Sequence, residues 1–338
     1  MFTVIFSDVD DITRQHLANN KINSLANCVL FAERLNELPT DVTQRCSDAE
    51  IISTFVYSRL SADVLENFKN LKLISTRSTG YNNVDLDYCK AHGIKVANVS
   101  GYGEITVAEY AVGLMLSLTR KIGFSNNKLR NGVVNVGEDM GIDLSGKTVG
   151  VIGTGAIGRH FAKLCRAFGC NILAHDPFPN QKLIDEGVCT YVPMDDLLGS
   201  ADIIALHCPS TKENYHFVNK ETIEKMKDGV FLVNTARGEL ISPIDFYEAI
   251  VAGKISGAGL DVLDYEDVII KDDVEVVKNS DKSVAITSLV NAKLLQLPNV
   301  IVTPHIAFNS SDAVRRILNS SIDTITDFIS GKNVTSVI

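Results

Sequence analysis

Thr148-Val149-Gly150-Val151-Ile152-Gly153-Thr154-Gly155-Ala156-Ile157-Gly158-Arg159 is the stretch on which the reading of this chain turns. A short β-favouring run leads into a Gly-x-Gly-x-x-Gly turn, and Arg159 to Phe168 continues with a helical pattern. Such a turn alone says little. Here a second strand follows at Asn171 to His175, and an acid, Asp176, stands eighteen residues beyond Gly158. Strand, glycine turn, helix, strand and acid in that order make a dinucleotide site. Gly153 permits the tight turn, Gly155 lets the backbone approach a pyrophosphate, and Gly158 lets the helix pack on the strand. The N–H groups that open the helix then face the phosphates. Asp176 suits the ribose hydroxyls and would repel a 2′-phosphate. Pro177, Phe178, Pro179 and Asn180 supply no cation to offset it, which favours NAD over NADP.

The same alternation extends in both directions. Before the glycine turn, Thr3 to Phe6, Ile51 to Phe55, Leu71 to Ser75 and Ile94 to Ala97 read as buried strands. Ser61 to Asn67 and Val84 to His92 read as helices between them. A long helix is expected around Ala111 to Leu118, opened by a capping box of Thr106 and Glu109 and closed near Arg120 and Lys121. Asn126 to Asp143 reads as a polar connection. Beyond Asp176, strands are expected at Ile203 to Leu206, Val230 to Val233, Gly257 to Leu260 and Val300 to Thr303. A helix is expected at Pro243 to Val251, with Ser242 as its N-cap. Residues 267 to 297 break the rhythm as an insertion. The last helix presents Val314, Leu318, Ile322, Ile325 and Ile329 on one face and stops at Gly331. Strands alternating with helices imply parallel sheets covered by helices, an α/β fold.

Composition narrows the class. The 338 residues suffice for two domains, and 45 % are hydrophobic. The net charge of −9 argues against nucleic acid or an acidic membrane as partner. No apolar run is long enough to span a bilayer, and Asp8 and Asp10 follow the N-terminus too soon for a secretory signal. Seven cysteines, an odd number without a Cys-x-x-Cys pair, read as reduced thiols of a cytoplasmic protein. No metal site is expected, because clustered Cys and His spacings are absent.

Three motifs fall at or just beyond strand ends, where ligands of open parallel sheets bind. Asn234-Thr235-Ala236-Arg237-Gly238 brings a guanidinium, Asp261-Val262-Leu263-Asp264-Tyr265-Glu266 a carboxylate, and Thr303-Pro304-His305-Ile306-Ala307 an imidazole. An Arg fork grips a carboxylate and polarises the neighbouring carbonyl. An imidazolium protonates a developing alkoxide, and a carboxylate on its other nitrogen orients it and raises its pKa. Together they suit hydride transfer to a 2-oxo acid. Pro304 is expected to hold the His305 segment extended. His207 is the rival imidazole, read as a support for the cofactor wall. His160 and His175 read as structural or surface residues.

With these residues in hand, the chain resembles the D-isomer-specific 2-hydroxyacid dehydrogenases over essentially its whole length. The resemblance rests on Thr76-Arg77-Ser78-Thr79-Gly80-Tyr81, Val107-Ala108-Glu109, Gly153 to Gly158 and His207-Cys208-Pro209. It rests also on Asn234 to Gly238, Gly259-Leu260-Asp261-Val262 and Thr303 to Ala307. It implies that Arg237, Glu266 and His305 are catalytic. It implies cofactor contacts at Gly153, Gly155, Ala156, Ile157, Gly158, Asp176, Cys208, Pro209, Asn214, Thr235, Ala236, Arg237 and Asp261. It implies substrate contacts at Ser78, Thr79, Gly80, Tyr102 and Arg237, with Tyr57 nearby. Cys208 departs from the valine more usual before the proline, with little expected consequence. The implied fold is two Rossmann-like or flavodoxin-like doubly wound parallel-sheet domains with a cleft between them. Residues 1–101 with 301–338 would form the catalytic, substrate-binding domain, and 102–300 the NAD-binding domain. The implied assembly is a homodimer.

Within the family, Glu266 argues against the formate dehydrogenase-like branch, which resembles this chain but carries Gln there. A phosphorylated substrate would need extra cations, and Arg59 and Arg77 are the early-chain candidates. The insertion after Glu266 and the ending Ile301 to Phe308 resemble most the branch that reduces pyruvate to D-lactate. Phe308 with the two tyrosines suits a small apolar substrate. A larger 2-oxo acid, such as 2-oxoisocaproate or phenylpyruvate, is the alternative. A non-enzymatic NAD(H)-sensing partner protein on the same fold is the reading from another class.

Overall fold

A computed structural model describes residues 1–134, 137, 140–266 and 282–338. Two compact units emerge, Met1–Tyr102 with Ser310–Ile338, and Gly103–Asn309.

The first unit is built on five parallel strands: β1 Phe2–Phe6, β2 Ala26–Leu30, β3 Ile51–Thr54, β4 Leu73–Thr76 and β5 Lys95–Ala97. Their order is β2-β1-β3-β4-β5. Side chains alternate between the faces, as the pleat requires. Ile5, Ile52, Ile74 and Val96 pack on one face with Leu35, Leu60 and Leu65. Val4, Phe6, Ile51 and Leu73 pack on the other with Leu17, Ile322 and Ile325. The last two belong to the Ser311–Ile329 helix, which thus supplies part of this core. Burying each such side chain contributes about 1.5–3 kcal/mol. The strands also carry buried hydroxyls, and Ser321 of that helix meets Ser53 at 3.2 Å and Ser75 at 2.9 Å.

The second unit holds seven parallel strands: β6 Thr148–Ile152, β7 Asn171–His175, β8 Thr190–Tyr191, β9 Ile203–Leu206, β10 Val230–Asn234, β11 Ile255–Leu260 and β12 Val300–Val302. The order β12-β11-β10-β9-β6-β7-β8 reverses direction between β6 and β9. Val149, Val151, Ile203, Ala205 and Val233 face one layer, with Ala111, Met115 and Phe161 of the helices Glu104–Thr119 and Ala156–Ala167. Ile152, Ile204, Leu206 and Leu232 face the other, with Leu197, Phe246 and Leu294. The two parallel α/β sheets implied by the sequence are therefore present. Among the described residues, no helix is long and apolar enough to cross a membrane.

Several local expectations are corrected. β2 and β8 are additional strands, the first only partly buried and the second two residues long. The long helix begins at Glu104 behind Gly103, so Thr106 and Glu109 lie inside it and form no capping box. The expected connection from Asn126 is helical up to Arg130, in a helix Ile122–Arg130 that starts after the left-handed Lys121. Residues 135, 136, 138 and 139 of that connection lie outside the described residues. The Pro243–Val251 helix is as expected, but the Ser242 side chain makes no cap hydrogen bond. Of the expected insertion, 267–281 lie outside the described residues and Lys282–Leu294 is a helix. Because β12 pairs with β11, the second unit keeps the turn after it, and the first resumes at Ser310 rather than at 301.

Candidate active site

The glycine turn sits where the second sheet reverses, at the carboxyl ends of β6 and β9. Gly153 has φ +92°, and a β-carbon there would lie 2.7 Å from the His207 carbonyl carbon. At Gly158 a β-carbon would lie 2.0 Å from the Gly153 carbonyl oxygen, so the helix packs on the turn only without one. Gly155 differs: among the described residues beyond its two chain neighbours, no atom lies within 4 Å of its absent side chain. That open space, beside a helix N-terminus lacking any side-chain cap, is what a pyrophosphate needs.

Asp176 is held in place by the turn itself. Its Oδ2 accepts from the Thr154 N–H at 2.6 Å and the Thr154 hydroxyl at 3.0 Å, and its Oδ1 from the Phe178 N–H at 2.8 Å. A carboxylate has about four acceptor positions, so capacity remains for ribose hydroxyls. Two buried polar atoms along the same sheet edge lack a partner among the described residues, His207 Nε2 and Thr235 Oγ1. Orphans of this kind fit a bound group. Asn214 instead spends its side chain on its own loop, accepting from Thr211 N–H at 2.7 Å and donating to Pro209 O at 2.8 Å. Cys208 is half-buried, and burial pushes its thiol pKa up.

The chemistry-bearing turns follow β10, β11 and β12. Asn234 Oδ1 accepts from the Ala236 N–H at 2.9 Å and its amide donates to Arg237 O at 2.8 Å, shaping the turn that exposes Arg237. No carboxylate among the described residues pairs with that guanidinium, whose Nη1 donates to Ala236 O at 2.7 Å. Asp261, 1 % exposed, takes up the next turn from within. Its carboxylate accepts from the Thr303 hydroxyl, the Ile306 N–H and the Ala307 N–H. Burial raises its pKa, while those three hydrogen bonds and His305 pull it down. Asp261 thus supports the His305 turn as well as standing at an expected cofactor position.

His305 Nδ1 lies 2.5 Å from Glu266 Oε1, and Glu266 Oε2 accepts from the Leu263 N–H at 3.1 Å. The hydrogen bond to Glu266 raises the His305 pKa, against partial burial and the Arg237 charge, which lower it. Arg237, Glu266 and His305 are therefore brought together. The backbone at His305 is not extended: φ is +54°, a left-handed conformation costing about 1–3 kcal/mol in a non-glycine residue. Pro304 restricts Thr303 before it and leaves His305 free to turn.

His207 is a different kind of imidazole. Burial pushes its pKa down to about 3, so it is neutral at working pH. Its ring packs on Phe161 at 4.7 Å. His175 Nδ1 lies 3.1 Å from Val192 O. His160 stands 3.9 Å from Glu104.

In the first unit, the expected carboxylate loop is anchored through its carbonyls and hydroxyls. Ser78 Oγ donates to Gly80 O at 2.6 Å, Val99 N–H to Ser78 O at 3.0 Å, and Asn98 to Thr79 O at 2.7 Å. The Thr79 and Gly80 N–H groups find no partner among the described residues. Tyr102 O accepts from Arg316 at 2.8 Å, and the Tyr57 ring sits edge-on to Phe55 at 5.1 Å. Arg77 is 3 % exposed and donates to Ser7 O, Asp8 O and Ser53 O. It holds three strand ends together and is spent as a cation for a phosphorylated substrate. The sequence reading missed one pair: His216 Nε2 lies 3.1 Å from Asp264 Oδ2, joining residues 48 positions apart with no local signal.

A nucleotide edge of glycine turn, helix N-terminus and acid, beside an Arg, Glu and His cluster, defines an NAD-dependent oxidoreductase. The family profile for the D-isomer specific 2-hydroxyacid dehydrogenase NAD binding domain matches residues 112–307. A hydroxypyruvate reductase of Blautia hydrogenotrophica is 34 % identical over 94 % of this chain and 93 % of its own length. An aromatic 2-oxoacid reductase of Clostridium sporogenes is 38 % identical over 79 % of this chain and 78 % of its own. The crystal structure of D-lactate dehydrogenase from Aquifex aeolicus complexed with NAD and lactic acid superposes with TM-score 0.79. Its identity is 33 %, over 97 % of this chain and 96 % of that one. The chain belongs to the D-isomer-specific 2-hydroxyacid dehydrogenase family and is an NAD-dependent enzyme acting on the CH–OH group of 2-hydroxy acids.

Proposed function

We propose that this enzyme reduces pyruvate to D-lactate, with Arg237, Glu266 and His305 as its catalytic residues. The observation that carries the catalytic assignment is the 2.5 Å contact between His305 Nδ1 and Glu266 Oε1, beside an exposed guanidinium that pairs with no carboxylate among the described residues. The hydrogen bond to Glu266 raises the imidazole pKa and so favours its charged form. His305 then gives the proton of its other nitrogen, Nε2, to the carbonyl oxygen of the substrate. Arg237 grips the substrate carboxylate and draws charge from the adjacent carbonyl. NADH, when bound, supplies the hydride that reaches the carbonyl carbon. In the reverse direction neutral His305 takes the proton from the hydroxyl.

For the cofactor, the proposed contacts are Gly153, Gly155, Ala156, Ile157 and Gly158 at the phosphates and Asp176 at the ribose. Cys208, Pro209, Thr235, Ala236 and Asp261 line the remainder, and Asn214 holds the loop that carries Pro209. Within the first unit, the unpartnered Thr79 and Gly80 N–H groups suit a carboxylate, with Ser78 and Tyr102 beside them.

Likeness to an enzyme complexed with lactic acid supports the choice of pyruvate. The relatives named for aromatic 2-oxo acids and hydroxypyruvate favour a second reading, in which a larger or more polar side chain is preferred. The test is a panel of pyruvate, hydroxypyruvate, 2-oxoisocaproate and phenylpyruvate with NADH, followed by chiral analysis of the product. Pyruvate with the highest kcat/KM and a D product supports the proposal. A higher value for another acid moves the assignment to that acid. NADH binding without turnover of any of them favours a sensing role.

A further inference from the structure

We propose that His216 is a positioning residue of the hydride-transfer centre, tying the turn after Arg237 to the turn that carries Glu266. The inference rests on the catalytic reading above.

The tie has two ends. At one, the His216 N–H donates to Glu239 O at 2.8 Å and Val218 N–H to Leu240 O at 2.8 Å, so the backbone around His216 follows the turn that begins at Arg237. At the other, the imidazole Nε2 lies 3.1 Å from Asp264 Oδ2, a carboxylate whose side chain is 4 % exposed. Asp264 is fixed from its far side as well, because Asn291 donates to its carbonyl oxygen at 2.8 Å. Two residues on, Glu266 engages Leu263 N–H and His305.

The two turns also touch directly. A β-carbon on Gly238 would lie 2.0 Å from the Leu263 carbonyl carbon and 2.4 Å from the Asp264 nitrogen. Only a bare Cα lets the backbone after Arg237 press against the Leu263–Asp264 peptide. His216 clamps the edges of that contact. Satisfying a buried carboxylate would by itself explain an Asp264 partner. It does not explain why His216 is held with φ +52°. Five non-glycine residues in the described chain have positive φ, and three of them, His216, Tyr265 and His305, belong to this one assembly. Strain concentrated there is what an over-determined geometry looks like.

The consequence is chemical. Glu266 acts on His305 through a single oxygen, and Arg237 must present its fork to the same substrate. A displacement of about 1 Å between such groups costs about a hundredfold in rate. The charged or titratable groups facing His305 are Glu266, Asp261 and Arg237. Those grouped around the tie are Asp264, Tyr215, Tyr265 and Glu239, with the Tyr215 ring stacked 3.9 Å from the imidazole.

The experiment compares the full-length wild type with His216→Ala and His216→Gln, whose amide can reach Asp264. His216→Ala is expected to lower kcat between ten- and a hundredfold, with the KM for the 2-oxo acid and the NADH fluorescence titration little changed. The alkaline limb of its reduction profile moves to lower pH, and His216→Gln recovers most of both. Titration of the His305 ring proton by NMR, without substrate, reads the same shift independently of turnover. A His305 titration that is identical in wild type and His216→Ala overturns the proposal, whatever happens to Tm. So does a loss of kcat that Gln fails to restore. Failure of the wild type to reduce any 2-oxo acid would instead count against the catalytic reading, while the NMR titration still decides whether His216 holds Glu266 on His305.

Discussion

Asp261 holds Ala307 by its second carboxylate oxygen, 2.8 Å from the Ala307 N–H, while its first oxygen takes Thr303 and Ile306. Three donors converge on one buried acceptor group. Asp261→Asn keeps the shape but offers an NH2 where one side must accept. A buried donor left unmet costs about 1–3 kcal/mol. The expected outcome is a loss of about that much unfolding free energy in urea titration and a loss of kcat, because the turn carrying His305 relaxes. Unchanged stability and turnover would show that the turn holds without the carboxylate.

The Glu266–His305 contact fixes the sign of the pH dependence. Reduction needs the imidazolium, whose pKa is raised, mainly by its hydrogen bond to Glu266. Activity should be full below the ordinary imidazole pKa and fall as pH rises through that raised value. Oxidation of the hydroxy acid needs the neutral ring and should rise over the same range. Glu266→Gln should move the reduction limb toward lower pH while leaving activity under acidic conditions, and His305→Ala should abolish turnover at every pH. The pH profile of kcat/KM checks this, and an unmoved limb in Glu266→Gln would break the assignment.

Arg237 is exposed, and no carboxylate among the described residues engages it, so its fork is available to a ligand. Arg237→Lys retains the charge and loses the bidentate geometry. Turnover should fall by two orders of magnitude or more, with NADH binding nearly unaffected and stability within about 0.5 kcal/mol of wild type, as for exposed substitutions generally. Near-normal kcat in the lysine variant would make Arg237 dispensable.

Asp176 should make NADH a far better cofactor than NADPH. Asp176→Asn removes the charge while its side-chain oxygen can still accept from Thr154. The ratio of kcat/KM for the two cofactors should narrow, chiefly through better use of NADPH. Equal use of both by the wild type would remove the role given to Asp176.

The legible parts of the fold were those with strong local pattern. β6 and β9 are short buried runs bounded by loops, β7 follows the glycine turn and its helix, and Pro243 opens the helix that ends at Val251. β2 escaped notice because Asn27 is exposed and the rest of Ala26–Leu30 is mostly half-buried, which blurs the apolar run. β8 is too short to carry a pattern. Arg237, Glu266 and His305 were singled out in the sequence by their places relative to strand ends and by the family resemblance. Their supports were not. The His216–Asp264 pair and the Gly238 contact arise only when separate loops meet, and the left-handed backbone at His305 is invisible behind a proline.

The Ser311–Ile329 helix bears on how the molecule is made. Its Ile322 and Ile325 complete a core whose other members come from the first hundred residues, and Ser321 joins Ser53 and Ser75. During synthesis those early strands must therefore wait, incompletely covered, while Gly103–Asn309 emerges as one uninterrupted run. A nascent chain arrested near Asn309 would hold a finished nucleotide-binding unit beside an unfinished, aggregation-prone one. Chaperones would be expected to engage the amino-terminal third until translation ends.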